Sequence, residues 1–195
     1  MRNRRTCFYL VGLTGSMASG KSTALAGFAK RGAFVMSADE LVRELYKTAP
    51  VRRQVEKWFG TADPAQLAQV IFSSEEKRVK LEKFLHPLVW KLAQQKLTAC
   101  PKNWAVLEAP LLLEAGWEEK MDLTVLVSAP DKTLPARLKA RGITSDEYKR
   151  RRTQQLSEAE KIRRADIVIY NNATPHVLDE KIGRLYQALE DLYAK

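Results

Sequence analysis

Cysteine and histidine are scarce in this 195-residue chain, with two of each, and their scarcity removes several classes of protein at once. Cys7 and Cys100 lie far apart, with no CxxC spacing and no Cys/His cluster beside either. Neither a disulfide framework nor a structural zinc site is expected, and a reducing cytoplasm is the natural compartment. No apolar run approaches the ~20 residues of a membrane-spanning helix, so no membrane partner is expected. The apolar stretch 7–13 follows Arg2, Arg4 and Arg5 but runs into Thr14-Gly15-Ser16 and then Lys21. It reads as a buried first strand, not an export signal. Internal repeats and low-complexity tracts are missing, and the composition excludes collagen-like and disordered chains. Positive charge is plentiful: 33 Lys and Arg against 23 Asp and Glu give a net charge of +10. With 45% hydrophobic residues, the chain has the profile of one soluble globular domain with a basic surface.

The β-rich apolar runs are short and continuous instead of alternating: residues 8–13, 34–36, 104–108, 123–127 and 167–170. Such runs suit strands covered on both faces, as in a parallel sheet. Between them, helical spacing covers residues 22–30, 39–46, 75–97, 145–164 and 175–193. Alternation of strand and helix predicts an α/β three-layer architecture. The nearly seventy strandless residues between the second and third strands are too long for a simple crossover and predict a helical insertion. A second excursion, residues 131–164, carries seven arginines (137, 141, 150, 151, 152, 163 and 164) and Lys132, Lys139, Lys149 and Lys161. It reads either as a solvated face or as a mobile lid facing phosphates.

The segment Gly15-Ser16-Met17-Ala18-Ser19-Gly20-Lys21-Ser22 fits G-x-x-x-x-G-K-[ST], after one predicted strand and before one predicted helix. This is a phosphate-binding loop. Glycines allow backbone N–H groups to turn inward on phosphate oxygens, and the helix N-terminus adds positive potential. Lys21 brings a charge to the outer phosphates of a nucleoside triphosphate, and the Ser22 hydroxyl is placed for Mg²⁺. Residues 15–22 together with Thr23 are the expected nucleotide-binding set. A guanine-reading Asn-Lys-x-Asp motif is not visible after the fourth strand, which weakens a GTPase reading.

Ser37-Ala38-Asp39-Glu40-Leu41-Val42-Arg43 follows the second strand. An acid at the carboxyl end of that strand points towards a phosphoryl-transfer site. Asp39 is a candidate for taking the acceptor hydroxyl's proton or for holding a metal-bound water. Arg43, four residues on, is a candidate for a substrate phosphate. The alternative is that Asp39 only begins a helix and pairs with Arg43.

At this point the chain resembles the dephospho-CoA kinases. The resemblance rests on Gly12-Leu13-Thr14-Gly15 running to Ser19-Gly20-Lys21-Ser22-Thr23, on Ser37-Ala38-Asp39 with Arg43, and on His86-Pro87-Leu88-Val89. It continues through Glu108-Ala109-Pro110-Leu111-Leu112-Leu113-Glu114, Arg137 with Arg141, and Arg151 with Gln155. It closes with Ala165-Asp166-Ile167-Val168-Ile169-Tyr170-Asn171, so that it covers nearly the whole chain in order. It implies a P-loop kinase fold: a parallel five-stranded sheet, a helical CoA-binding insertion over residues 48–100 and an Arg-rich lid over 132–165. It implies transfer of the ATP γ-phosphoryl group to the 3′-hydroxyl of dephospho-CoA. Asp39 would be the base, Lys21, Arg141 and Arg151 would act on the phosphoryl group, and Arg43, His86 and Pro110 would line the substrate side. Arg150 and Arg152 are substitutes for the lid arginines. The expected partner is the small-molecule substrate, without nucleic acid, and the chain is expected to be a monomer or weak oligomer.

Four positions depart from the family pattern. Ser37 stands for an acid, Glu108 for Asp, and Ser16 and Ala18 for residues that are commonly Gly. Ser37 brings no charge to a metal, and Ser16 and Ala18 narrow the loop's backbone freedom. His86 is open to two readings, a catalytic imidazole or a structural residue, with Pro87 disfavouring helical geometry there. Trp58, Phe59, Phe72, Phe84 and Trp90 read as the insertion's small core. Another nucleoside or nucleotide kinase is the alternative function, followed by a nucleic-acid-binding P-loop ATPase on account of the net charge.

Overall fold

The computed structural model describes residues 9–100, 104–140 and 142–193. In chain order the elements are β1 (Tyr9–Thr14), α1 (Lys21–Lys30), β2 (Phe34–Ser37), α2 (Ala38–Tyr46), α3 (Ala49–Phe59), α4 (Pro64–Phe72) and α5 (Glu75–Thr98). They continue as β3 (Trp104–Glu108), β4 (Leu123–Ser128), α6 (Leu134–Ala140), α7 (Ser145–Arg152), α8 (Glu158–Arg164), β5 (Ile167–Tyr170) and α9 (Pro175–Tyr193). The chain divides into two compact units, one of residues 1–36 and 101–195, the other Ser37–Cys100.

The first unit is built on a five-stranded parallel sheet in the order β2-β3-β1-β4-β5. β1 lies between β3 and β4, with Leu13 opposite Glu108 on one side and Val125 on the other. Every residue of β3 is buried, as are Leu10–Thr14 of β1 and Thr124–Ser128 of β4. Continuous apolar runs in the sequence therefore correspond to strands covered on both faces. Val11, Leu13, Val106, Val125, Val127 and Ile169 of the sheet pack with Phe28 of α1 and with Leu178, Ile182 and Leu189 of α9. Because the strands are parallel, their carboxyl ends share one edge. There Thr14 leads into the glycine-rich loop and Tyr170 leads into Asn171.

α1 and α9 are also joined by charge. Arg31 Nη1 donates to Asp179 Oδ1 at 2.7 Å and Arg31 Nη2 to Oδ2 at 3.1 Å, a bidentate fork.

Beyond Ser37, the last residue of β2, the regular elements of the second unit are all helices. Val51 and Val55 of α3, Leu67 of α4 and Leu81 and Leu85 of α5 form its core, with Phe59 and Phe84 packed against it. Trp58 meets Phe84 edge-on at 5.1 Å, and Lys80 Nζ lies 4.6 Å from the Trp58 ring centre. The Phe72 side chain lies outside the described residues. α4 starts where Asp63 accepts from the N–H groups of Ala65 and Gln66, with Pro64 in the first turn, where its missing N–H costs nothing.

Two expectations about helix ends are corrected. The helical spacing over 145–164 resolves into two helices, because Ser157 caps a fresh start: its Oγ accepts from Glu160 N at 3.1 Å. His86 does not follow a helix but lies inside α5, which runs through Pro87. The proline removes one hydrogen bond, yet Leu81, Leu85, Val89, Ala93 and Leu97 keep one buried stripe on both sides of it.

The hydrogen bonds from Arg31 hold the Asp179 carboxyl below the ordinary carboxylate range, against a smaller opposing effect of desolvation. A depressed carboxylate stabilises the fold above its unfolded pKa of about 3.9, and that contribution is lost as pH falls through the lower folded value. Thermal melts at pH 7 are expected to place Asp179→Asn a few degrees below the parent chain, with the gap closing in acid. A gap of constant size down to acid pH would show that the pair does not act through charge.

Candidate active site

The loop from Gly15 to Gly20 joins β1 to α1. A Cβ on Gly15 (φ 151°) would lie 2.3 Å from the Val127 carbonyl oxygen, and one on Gly20 (φ 108°) would lie 2.4 Å from Asn171 Nδ2. At both positions a side chain is excluded by space as well as by backbone angle. α1 opens without a side-chain cap and without an acid in its first turn, which leaves its N-terminal amides to an anion. Ser22 is exposed in that turn, and Thr23 beside it is half-buried. The hydroxyl oxygens of Thr14 and Ser19 are buried without a hydrogen-bond partner among the described residues.

Four of the loop's carbonyls, by contrast, are taken by side chains. Lys21 Nζ donates to Gly15 O at 2.9 Å and to Ser16 O at 3.1 Å. The guanidinium of Arg137, on α6, donates to the carbonyls of Ala18 (3.4 Å), Ser19 (3.5 Å) and Asn171 (3.2 Å). Buried Asn171 Nδ2 donates to Ser19 O at 2.7 Å, and its backbone N–H donates to Ser128 O at 2.7 Å. Asn171 thus spans from the end of β4 to the loop, and Arg137 joins the loop to Asn171 from α6.

The two departures in the loop each find a use. Ala18 has φ 61°, a left-handed conformation that costs a residue with a Cβ roughly 1–2 kcal/mol. The residue is buried with Leu134 and Leu138 of α6, and Met17 packs against the same cluster. Ser16 Oγ donates to Glu158 Oε2 at 2.8 Å and accepts from Lys161 Nζ at 3.4 Å. Lys161, on α8, is fully buried, and its Nζ lies 3.8 Å from Glu114 Oε1. Burial pushes the Lys161 pKa down, while Glu114 and Glu158 pull it back up and Arg152 opposes them. Glu114 Oε1 also accepts from Leu156 N at 2.8 Å, and Gln155 Nε2 donates to Pro110 O at 3.2 Å. The chain between α7 and α8 is thereby tied to the turn after β3.

The seven arginines of residues 131–164 separate into different roles. Arg137 alone among the described side chains of this group bonds to the loop. Arg152 pairs with Asp131 at 3.2 Å and bonds the Tyr148 hydroxyl at 2.6 Å. Arg163 pairs with Glu160, and Arg164 bonds to Leu113 O and Glu118. Arg150 is exposed. Arg141 and the side chain of Arg151 lie outside the described residues. Glu108 is buried at the carboxyl end of β3.

In the helical unit, Asp39 is exposed in the first turn of α2. Arg43 lies 3.9 Å from Glu40 and forms no pair with Asp39. His86 is half-buried within α5.

The sequence flagged Arg137 and Asn171 only as motif members, and Lys161 only as one of many cations. For Asn171 a polar residue directly after an apolar strand was the available sign. For Lys161 none existed, since a buried lysine and a surface lysine look alike in sequence.

A family model described as dephospho-CoA kinase matches residues 9–176. The dephospho-CoA kinase of Aquifex aeolicus (strain VF5) is 33% identical over 193 residues, covering 92% of this chain and 96% of its own. Among solved structures, TT1252 from Thermus thermophilus has a TM-score of 0.83 at 30% identity, covering 95% of this chain and 98% of that one. The dephospho-CoA kinase from Campylobacter jejuni shares the fold, with a TM-score of 0.69 at 23% identity over 93% of this chain and 97% of that one.

Asn171→Ala would leave the buried Ser19 carbonyl without its shortest bond, a cost of about 1–3 kcal/mol in stability. The loop would lose a fixed shape as well. The expected result is a lower melting temperature together with an ATP KM raised roughly tenfold, equivalent to ~1.4 kcal/mol. An unchanged KM for ATP would separate Asn171 from the nucleotide site.

Proposed function

The chain belongs to the dephospho-CoA kinase family, and from that premise we propose which of its residues carry the reaction. It is an ATP-dependent kinase that transfers the γ-phosphoryl group of ATP to the 3′-hydroxyl of dephospho-CoA, giving CoA and ADP, the last step of coenzyme A biosynthesis. The observation that carries the assignment of roles is the loop itself: excluded side chains at Gly15 and Gly20, an uncapped helix start, and carbonyls held from behind by Lys21, Arg137 and Asn171.

In our reading, residues 15–23 receive the triphosphate and Lys21 takes its outer phosphates. Ser22 would hold Mg²⁺, with phosphates and waters supplying most of its shell. That ion, when bound, neutralises phosphate charge. The 3′-oxygen of dephospho-CoA attacks the γ-phosphorus as the bond to the β,γ-bridging oxygen breaks, and Asp39 accepts the hydroxyl proton. An exposed carboxylate at the start of α2, unpaired with Arg43, suits a base that must meet a substrate. Arg43, His86 and Pro110 are assigned to the dephospho-CoA side. Residues 48–100 of the helical unit are assigned to CoA binding. Residues 132–165 are assigned as the lid, with Arg141 and Arg151 stabilising charge on the transferred group while closure excludes water. We assign the enzyme to the cytoplasm, as a monomer or weak oligomer. Among the described residues no helix is long and apolar enough to cross a membrane.

An ADP-release assay with ATP, Mg²⁺ and dephospho-CoA, run beside nucleosides and nucleic acid as other acceptors, tests this reading. Turnover confined to dephospho-CoA is expected, with CoA confirmed by mass. Lys21→Ala is expected to abolish turnover in a folded protein. Asp39→Asn is expected to lower kcat by about 10²-fold or more, the usual worth of a positioned base, with ATP KM within about twofold. Equal loss in both parameters would make Asp39 a structural residue.

A further inference from the structure

Lys161 has no part in the reaction as set out above, yet among the described residues it is the one buried lysine, with no side-chain exposure. A buried ammonium is costly unless it is bonded. Its surroundings are specific: Ser16 Oγ at 3.4 Å and Glu114 Oε1 at 3.8 Å, with Glu158 Oε2 accepting from the same Ser16 hydroxyl at 2.8 Å. Ser16 is held at two atoms. Its hydroxyl donates to Glu158 and accepts from Lys161, and its carbonyl accepts from Lys21 Nζ at 3.1 Å. A movement of Ser16 therefore moves one of the two carbonyl oxygens that hold Lys21, the other being Gly15 O at 2.9 Å on the preceding residue. The route runs from α8 through one serine side chain to the ammonium assigned to the phosphates.

We propose that Lys161 is a positioning residue for phosphoryl transfer, acting through the Ser16 hydroxyl to fix where Lys21 stands. The inference rests on the assignment of Lys21 to the phosphates. Glu158 and Glu114 complete the device: Glu158 accepts the hydrogen bond from Ser16 and so turns the hydroxyl's lone pairs to Lys161, while Glu114 balances the buried charge. Because Glu114 also accepts from Leu156 N, the same cluster fastens the trailing end of the Arg-rich segment. An ordinary buried ion pair would hold α8 in place without any reason to involve a hydroxyl of the phosphate loop.

The test is a double-mutant cycle on the full-length enzyme with Lys161→Met, Ser16→Ala and both together, reading kcat, KM for each substrate and melting temperature. Lys161→Met is expected to lower kcat about tenfold or more, with the dephospho-CoA KM unchanged. Ser16→Ala, which leaves the buried lysine in place and should fold, is expected to reproduce several-fold of that loss with little change in melting temperature. The double variant is expected to be no slower than Lys161→Met alone, because both substitutions cut the same route. Wild-type kcat in Ser16→Ala, or losses that multiply independently in the double variant, would overturn the proposal and leave Lys161 as a fold-stabilising cation. If Lys161→Met does not fold, the kcat of Ser16→Ala decides alone. Lys21→Ala, measured alongside, keeps the premise separate: turnover in that variant would remove the phosphate-loop reading itself, whatever Lys161 does.

Discussion

The structure depends on one requirement of the peptide backbone: a loop that offers its amides to a ligand still has to satisfy its carbonyls. Here the carbonyls of Gly15, Ser16, Ala18 and Ser19 each accept from a side chain, supplied by Lys21, Arg137 and Asn171. Those donors come from three places in the chain, namely the start of α1, α6 and the end of β5. The loop is therefore the point at which separate parts of the sheet unit are pinned together. Buried carbonyls without partners would cost more than such bonds return in isolation, so the loop and its donors hold their shape together.

The same economy explains how the chain accommodates residues that the loop's geometry disfavours. Ala18 accepts a left-handed backbone and is packed beside Leu134 and Leu138. Ser16 turns a hydroxyl towards α8 and becomes part of a buried set of charges. Each departure is coupled to the segment that follows β4. The loop of this chain is consequently fastened to α6 and α8 by side chains as well as by backbone. A small residue without these groups would leave those contacts unmade.

Arginine density, in turn, proves a poor guide to arginine function. Arg152, Arg163 and Arg164 are engaged with Asp131, Glu160 and Glu118, and the arginine on the loop carbonyls is Arg137, the first of the group. A guanidinium serves an anion, a carboxylate or a row of carbonyl oxygens equally well. Which of these it meets depends on the turn of the helix that carries it.

The sequence alone determined the five strands and the helical character of the chain between them, because strands buried on both faces must be short continuous apolar runs and helices must keep a stripe of near-3.6 period. It also located the phosphate loop, since Gly15, Gly20, Lys21 and Ser22 answer to local backbone geometry and to one ligand chemistry. Local rules reached Asp39 as an acid after a strand but left its pairing open, and they misjudged Pro87, where tertiary burial of the Leu81–Leu85–Val89 stripe overrides a local preference. Tertiary structure alone decided the contacts across more than a hundred residues: Asn171 on Ser19, Arg137 on Ala18, Lys161 on Ser16. No local pattern encodes these, because a polar side chain acquires its partner only when the sheet has brought the two segments to the same edge.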